Sequence, residues 1–344
     1  MLPGPSDSGW LLLSFLVPLG LVFALMPGYL GLLKRRGRVV DDVHKIPPTK
    51  VPSPVGPVLL AGLVAGEVVA SFYSQSLVAP AVIGAIVIAF TVGITDDLFV
   101  LGGKVKPLLL LLAAVPLVLA QEIQPGVYHA ALYFPLLGET SEHFFIYTVL
   151  VIAAFPVVSN AYNMMDSFNG EISGFALLTS IAATFAILLR AYAIPGYSPA
   201  HLAAALPLVA VALAFYFYNR HPSRAFDGDS GSLVFGAMFA ALAVTGGIEI
   251  AAAVAIIPAI LNSFYILSSL RGFVERRKMG ARPTSMDDGG RLHSSSDPLA
   301  PATLVRMILL EGPLSEKDLV RKILVLTAVA CLLSAATSVL TWVY

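Results

Sequence analysis

Runs of about 20 apolar residues, the length of helix that crosses a hydrocarbon core roughly 30 Å thick, recur along the chain between short polar breaks. Ten helices are predicted on this pattern: 10–33, 55–76, 78–95, 107–120, 144–163, 174–194, 201–218, 231–246, 249–270 and 321–344, the fourth and eighth being short. The expected fold is an all-α polytopic membrane protein, a single unit over 1–344 with a long polar loop, 271–320, between the ninth and tenth helices. No Lys or Arg precedes the first run, which is also too long for a signal peptide, so it is read as a retained helix. The stretch 121–143 carries turn residues and aromatics and is expected to form a short hairpin, whereas the Gly/Ser/Asp-rich stretch 283–300 reads as a mobile loop. No internal repeat is visible.

Composition sharpens this picture. With 57% hydrophobic and only 12% charged residues, and a mean hydropathy of +0.84, the 344 residues do not describe a soluble chain folded around one core. Lys plus Arg and Asp plus Glu each total 21, and the resulting zero net charge gives no argument for nucleic acid as a partner. The position of the charges is more telling. If 34–54, 96–106, 164–173, 219–230 and 271–320 lie on one side, 20 of the 21 cations lie in those loops or at the helix ends bordering them, and Arg190 alone lies opposite. The positive-inside rule then makes that side cytoplasmic and puts both termini on the other side. Cys331, the single cysteine, cannot form an intramolecular disulfide and leaves the redox compartment open.

Acids and amides gather on the same inner edge. Asp96 and Asp97 close the third helix, in GITDD, where the negative end of the macrodipole disfavours carboxylates. They require positive charge. Lys106, at the positive start of the fourth helix, is mismatched in the opposite sense, and the two mismatches together fit a phosphate or metal site better than a solvated membrane edge. Successive helical residues point about 100° apart, so the two acids are expected to serve different roles. In NAYNMMDSFNG, Asn160 and Asn163 share a helix face; Asn160 reads equally as an interhelical hydrogen-bonding group, while Asn163, with Asp166 and Asn169 near it, offers hard oxygen donors suited to Mg²⁺. In FDGDSGS, Gly228 and Gly231 allow close backbone approach, and the amides of Ser230 to Ser232 open a helix, predicting an anion cradle beside Asp229. Glu67, an acid within the second helix, is either functional or a packed polar contact. His221 and His293 face inward and could bond a phosphate or simply be solvated; His129, His143 and His201 fall outside and are given no role.

Four strings in this order, DDVHK to PSPVG (41–56), GITDD followed by Lys106, NAYNMMDSFNG and FDGDSGS, resemble the polyprenyl-phosphate N-acetylhexosamine-1-phosphate transferase superfamily, glycosyltransferase family 4. The similarity covers nearly the whole chain. Asp42 to Gly56 and the stretch from NRHPSRAF onward are most similar to the eukaryotic-type branch that uses UDP-N-acetylglucosamine and dolichyl phosphate, whereas Asp166 matches the bacterial branches, a mixture expected of an archaeal member. The resemblance implies a magnesium ion, with Mn²⁺ as the alternative, on Asn163 and Asp229. It implies catalytic roles for Asp96, Asp97 and the phosphate-binding Lys106. It further implies that Lys45 belongs to the first inner loop's contacts, that Asn169 lies near the uridine and that Arg282 clamps the pyrophosphate. Asn160, Asp166, Ser230 and His293 complete the candidate substrate-binding set. The chain departs from the family at Ser53 (Glu in the eukaryotic enzyme), at Ser167 (Gly in the bacterial ones), in Arg282-Pro283-Thr284, which only partly reproduces Arg-x-Pro-Arg, and in a multi-histidine string reduced to His293. These departures bear on the donor sugar and the last-loop contacts, not on the reaction.

The implied reaction is attack by a polyprenyl or dolichyl phosphate on the sugar-bearing phosphorus of a UDP-sugar, giving lipid-diphospho-sugar and UMP, as the first membrane step of a glycan pathway such as protein N-glycosylation. UDP-N-acetylglucosamine is the first candidate donor, with other UDP-sugars as alternatives. A phosphate monoester has its second pKa near 6, so the acceptor is already largely dianionic and in-line displacement is favoured over a covalent phospho-sugar on an Asp. The implied partners are the UDP-sugar, the lipid phosphate and the bilayer; a homodimer stays open. The expected location is an archaeal or other prokaryotic cell membrane, with the endoplasmic reticulum as alternative and the site cytoplasmic. A transporter or flippase would set its acids near the bilayer midplane, whereas these crowd one edge. The D-G-x-x-A-R string of CDP-alcohol phosphotransferases is absent.

Overall fold

The computed structural model describes residues 5–74, 76–141, 143–195, 197, 200–270, 272 and 281–343, and turns the apolar runs into helices. In chain order these are α1 (Pro5–Arg35), α2 (Gly56–Ser74), α3 (Val78–Phe99), α4 (Val105–Leu110), a 3-10 turn (Leu111–Ala114), α5 (Val115–Ile123), α6 (Phe144–Asn163), α7 (Glu171–Ala193), α8 (Ala200–Asn219), α9 (Gly228–Gly246), α10 (Glu249–Ala255), α11 (Ile257–Leu270), α12 (Leu304–Ile308) and α13 (Glu316–Trp342). Among the described residues nine helical stretches are long and apolar enough to cross a membrane, α4, the 3-10 turn and α5 counting as one. A tenth arises only if α10 and α11, bent by 69°, form one broken span. The bend has a local cause. Pro258, at the second position of α11, brings no N–H and its ring crowds the carbonyl four residues back, so the predicted straight helix 249–270 breaks at Ile256.

α9 is the hub. Of its membrane-length window 89% is buried, against 22% for α1. Its neighbours include α2, α3, α6 and α8. Phe235 and Phe239 anchor it: Phe235 lies 6.1 Å from Phe215 of α8, and Phe239 lies 5.6 Å from Tyr162 of α6, which meets Phe175 of α7 edge-on at 4.9 Å. The buried Tyr162 hydroxyl is satisfied at 2.7 Å by Thr179.

The two ends of the bundle gather different segments. At one end β1 (Val39–Asp42) pairs antiparallel with β2 (Thr49–Pro52), and β2 runs into the loop before α9 through Phe226 N to Pro52 O (3.0 Å) and Val55 N to Phe226 O (3.0 Å). At the opposite end β3 (Tyr133–Phe134) and β4 (Gly138–Glu139) form the short hairpin expected within 121–143. There Arg190 is buried. Its guanidinium donates to Gly246 O (2.9 Å) and Gly247 O (2.6 Å) and lies over Tyr133 and Trp342, 4.5 and 4.9 Å from the ring centroids. The lone cation assigned to that side is thus a structural group.

The stretch 283–300, expected to be mobile, instead contains an antiparallel hairpin, β5 (Thr284–Met286) with β6 (Leu292–Ser294). Leu292 is bridged to Leu314, and Arg306 donates to Ala300 O (2.5 Å) and Ser295 O (3.0 Å), so backbone pairing overrides a loop-like composition. Within the expected loop 271–320, residues 271 and 273–280 lie outside the described residues.

Candidate active site

The last turn of α3 and the first turn of α9 meet head to tail. A Cβ on Gly93 would lie 2.6 Å from the Asp229 carbonyl oxygen, so the close crossing requires glycine there. Gly228, at φ +70°, turns the chain into α9 directly against Asp97. The Asp97 carboxylate then accepts from the backbone N–H of Asp229 (2.8 Å) and of Ser230 (3.0 Å). Asp97, misplaced on its own helix dipole, is stabilised by the N-terminus of another. Of the amides expected to form an anion cradle, Ser230 to Ser232, that of Ser230 is taken in this structure by a protein carboxylate, together with that of Asp229. Ser230 is buried, its side chain packs where a Cβ on Gly56 would fall, and its hydroxyl donates to Asp227 O at 3.4 Å.

Asp96 takes the other kind of partner. Its carboxylate accepts from Leu101 N at 2.5 Å and pairs with the Lys106 ammonium at 2.9 Å, and Lys106 also bonds Asp229. Asn163, the last residue of α6, donates to Asp229 Oδ1 (2.9 Å) and Ser232 Oγ (2.8 Å). Asp96, Asp97, Lys106, Asn163 and Asp229, from four separate places in the chain, thus form one cluster in the structure, with three carboxylates against one ammonium. The two adjacent acids do take different partners, as the 100° offset predicts.

A second cluster joins Lys45 and Asn169. Asn169 donates from its side chain to Asp42 (2.8 Å) and from its backbone to Glu316 (2.9 Å), Lys45 pairs with Asp42 at 3.3 Å and with Glu316, and His221 stands 3.6 Å from Glu316. Sequence reasoning missed Asp42 and Glu316 as site residues. Ligand atoms of Asp42, His44 and Glu316 lie within 4.8 Å of one another. Lys45 and the Asn169 amide already compensate these acids, so the trio is filled by protein groups.

The remaining candidates are placed differently. Asn160 donates back to Pro156 O (2.7 Å) within α6 and lines an apolar cleft of about 420 Å³ with Leu108, Leu111, Val157 and Leu267, outside the carboxylate cluster. Asp166 follows Asn163 in the same loop, its amide on Asn163 O at 3.3 Å, and its charge acts on Asp227. Burial first, and Asp166 next, hold the Asp227 carboxyl well above the usual carboxylate range; both its oxygens are buried without a hydrogen-bond partner among the described residues. His293 pairs with Asp287 at 2.8 Å within the β5–β6 hairpin, and Arg282 is exposed just before it with no ion pair among the described residues, so the structure brings neither into the clusters. Glu67 is buried in α2 without a hydrogen-bond partner among the described residues, eleven residues and about 16 Å of helix from Gly56.

A polytopic helical membrane protein whose polar site lies at one end of the bundle is the class these observations define. Residues 79–247, which hold Asp96, Asp97, Lys106, Asn163 and Asp229, match the family model described as Glycosyl transferase family 4. A relative from Sulfolobus acidocaldarius, provisionally named a UDP-N-acetylglucosamine–dolichyl-phosphate N-acetylglucosaminephosphotransferase, is 25% identical over 317 residues, 90% of each chain. One from Bacillus subtilis, provisionally named an undecaprenyl-phosphate N-acetylglucosaminyl 1-phosphate transferase, is 27% identical over 82% of this chain and 76% of its own length. The phospho-N-acetylmuramoyl-pentapeptide-transferase of Oceanobacillus iheyensis is 38% identical over 104 residues, 30% of each.

Proposed function

We propose that this protein transfers N-acetylglucosamine-1-phosphate from UDP-N-acetylglucosamine to a polyprenyl or dolichyl phosphate, releasing UMP, at the cytoplasmic face of an archaeal cell membrane. The observation that carries the proposal is the convergence of Asp96, Asp97, Asp229 and Lys106 at the membrane-edge end of the bundle, beside the apolar cleft of Leu108, Leu111, Val157 and Leu267. The names of the relatives from Sulfolobus acidocaldarius and Bacillus subtilis support the donor sugar and the lipid acceptor. The charge pattern, 20 of 21 cations on the site side, supports ten spans with both termini opposite.

The donor set suits a divalent cation. Three carboxylates face one ammonium, and Asn163 uses its amino group on Asp229 and Ser232, which leaves its amide oxygen as an acceptor. Asp229 and Asn163 would hold Mg²⁺, which would supply charge neutralisation for the diphosphate. Lys106, already shared between Asp96 and Asp229, lies beside the cleft and would steady the incoming acceptor phosphate. Asp96 would orient that ammonium, and Asp97 fixes the start of α9 so that Asp229 is presented at the right height. Lys45 and Asn169, joined through Glu316, would receive the nucleoside end. The acceptor monoester needs little help to lose its proton at neutral pH, and alignment with charge neutralisation accounts for a direct displacement.

The test is release of UMP by the purified protein from a panel of UDP-sugars with polyprenyl phosphate and Mg²⁺, with Asp229→Asn as control. Turnover of UDP-N-acetylglucosamine that Asp229→Asn abolishes is expected. No UMP from any donor would sink the enzyme reading, and full activity in Asp229→Asn would sink the metal assignment.

A further inference from the structure

A separate concavity of about 1120 Å³ opens between α8 and α13 at the site end of the bundle. Arg220 and Arg224, past the end of α8, and Lys317 and Arg321, in the first turns of α13, form its upper wall. Below them it is apolar. Positions 317, 321, 325 and 328 follow one face of α13, so the helix descends from Lys317 and Arg321 to Val325 and Ala328. On α8 the same order repeats: Arg220 stands 5.4 Å from the ring centroid of Phe217, one turn deeper. Phe217 and Val325 are 41% and 58% exposed although both belong to membrane-length helices. The one acid of the lining, Asp318, is tied to the Ser315 hydroxyl at 2.6 Å, and none of the four cations forms an ion pair among the described residues.

We propose that this groove binds an anionic phospholipid, its phosphodiester held by Arg220, Arg224, Lys317 and Arg321 and its acyl chains laid along Phe217, Leu324 and Val325. Uncompensated cations above an apolar slot, at the depth where a helix enters the bilayer, complement that amphiphile and no soluble anion. A nucleotide has no use for the apolar lower half. A second copy docked through the same face would set these cations against their own images. The groove is distinct from the carboxylate cluster. It adjoins the other cluster, since Asn169 lines its edge and Ser315 and Lys317 flank Glu316.

Native mass spectrometry of the full-length protein, equilibrated in mixed micelles of phosphatidylglycerol and phosphatidylcholine, tests this directly. One phosphatidylglycerol per chain, retained at least tenfold over phosphatidylcholine, is expected. Arg220→Gln with Arg321→Gln should bring the two lipids to parity, whereas Arg35→Gln with Arg36→Gln, two exposed cations at the end of α1, should preserve the preference. Val325→Trp, which fills the lower half and spares every cation, should also lose the lipid while circular dichroism shows the helices intact. No preference in the wild-type protein, a preference that survives both groove variants, displacement of the lipid by UDP, or a lipid-free dimer dissolved by Val325→Trp would each overturn the proposal.

Discussion

Asp96 and Asp97 are neighbours in sequence and bind opposite kinds of positive charge, an ammonium and a helix N-terminus. Asp97→Asn keeps the shape and removes the charge that stabilises the first turn of α9. It is expected to cost about 1 kcal/mol of stability, visible as a lower melting temperature, and to reduce kcat more than KM because Asp229 rides on that turn. Glu316 is expected to act on the other kinetic parameter. Its carboxylate holds Lys45 and the Asn169 backbone together, so Glu316→Gln should raise KM for the UDP-sugar by about tenfold, the loss of one charged hydrogen-bonding partner of about 1.4 kcal/mol, with kcat changed less. Equal KM values would place the nucleoside elsewhere. Asp227 governs a pH effect. Its folded pKa is raised, so above its unfolded pKa of about 4 the folded state binds more protons than the unfolded one, and Asp227 removes stability as pH rises. Asp227→Asn, neutral throughout, should therefore raise the melting temperature more at pH 7.5 than at pH 5; a gain independent of pH would refute this. Asp96, Asp97, Lys106, Asn163 and Asp229 were legible as mismatched charges and clustered amides. Asp42 and Glu316 were not, because their partnership spans most of the chain and carries no local spacing.

Helix boundaries show which physical signals survive in a sequence and which do not. The apolar run of α6 was readable to the residue, 144–163, because polar residues bound it on both sides. α13 starts at Glu316, five residues before the predicted 321, since its first turn is written in charge: Ser315 accepts from Asp318 N at 3.1 Å and donates to its carboxylate, a cap that hydropathy cannot register. That early start is what delivers Glu316 to Lys45. Ser315→Ala should cost about 1 kcal/mol of stability and, by loosening the first turn, weaken UDP-sugar binding in the same direction as Glu316→Gln; measured binding that stays at the wild-type value would separate the cap from the site. The α3–α9 crossing is equally invisible to hydropathy. It depends on Gly93, and Gly93→Leu, overpacking against the Asp229 carbonyl, should destabilise by about 1–3 kcal/mol or more and abolish activity together with thermal stability.

At the scale of the whole molecule the charges and the packing agree on two unlike ends. One gathers Lys45, Asp96, Lys106, Asn163, Asn169, Asp229 and Glu316; the other gathers Arg190, Tyr133, Tyr197, Gly246 and Trp342. The positive-inside rule made the first legible because cations are counted loop by loop. It could not show that the single exception, Arg190, is buried under aromatic rings and carbonyl oxygens, where it is no longer a loop charge. Orientation then becomes a measurable consequence. In a Cys331→Ser background, Ser141→Cys lies in the exposed turn before α6 and Asp288→Cys in the exposed β5–β6 turn. A membrane-impermeant maleimide applied to intact cells should label Ser141→Cys at once and Asp288→Cys only after permeabilisation. The reverse pattern would put the carboxylate cluster on the outer face, where no cytosolic UDP-sugar reaches it. Labelling of both from outside would mean that the bent pair α10–α11 fails to cross, since Ser141 precedes it and Asp288 follows it in the chain.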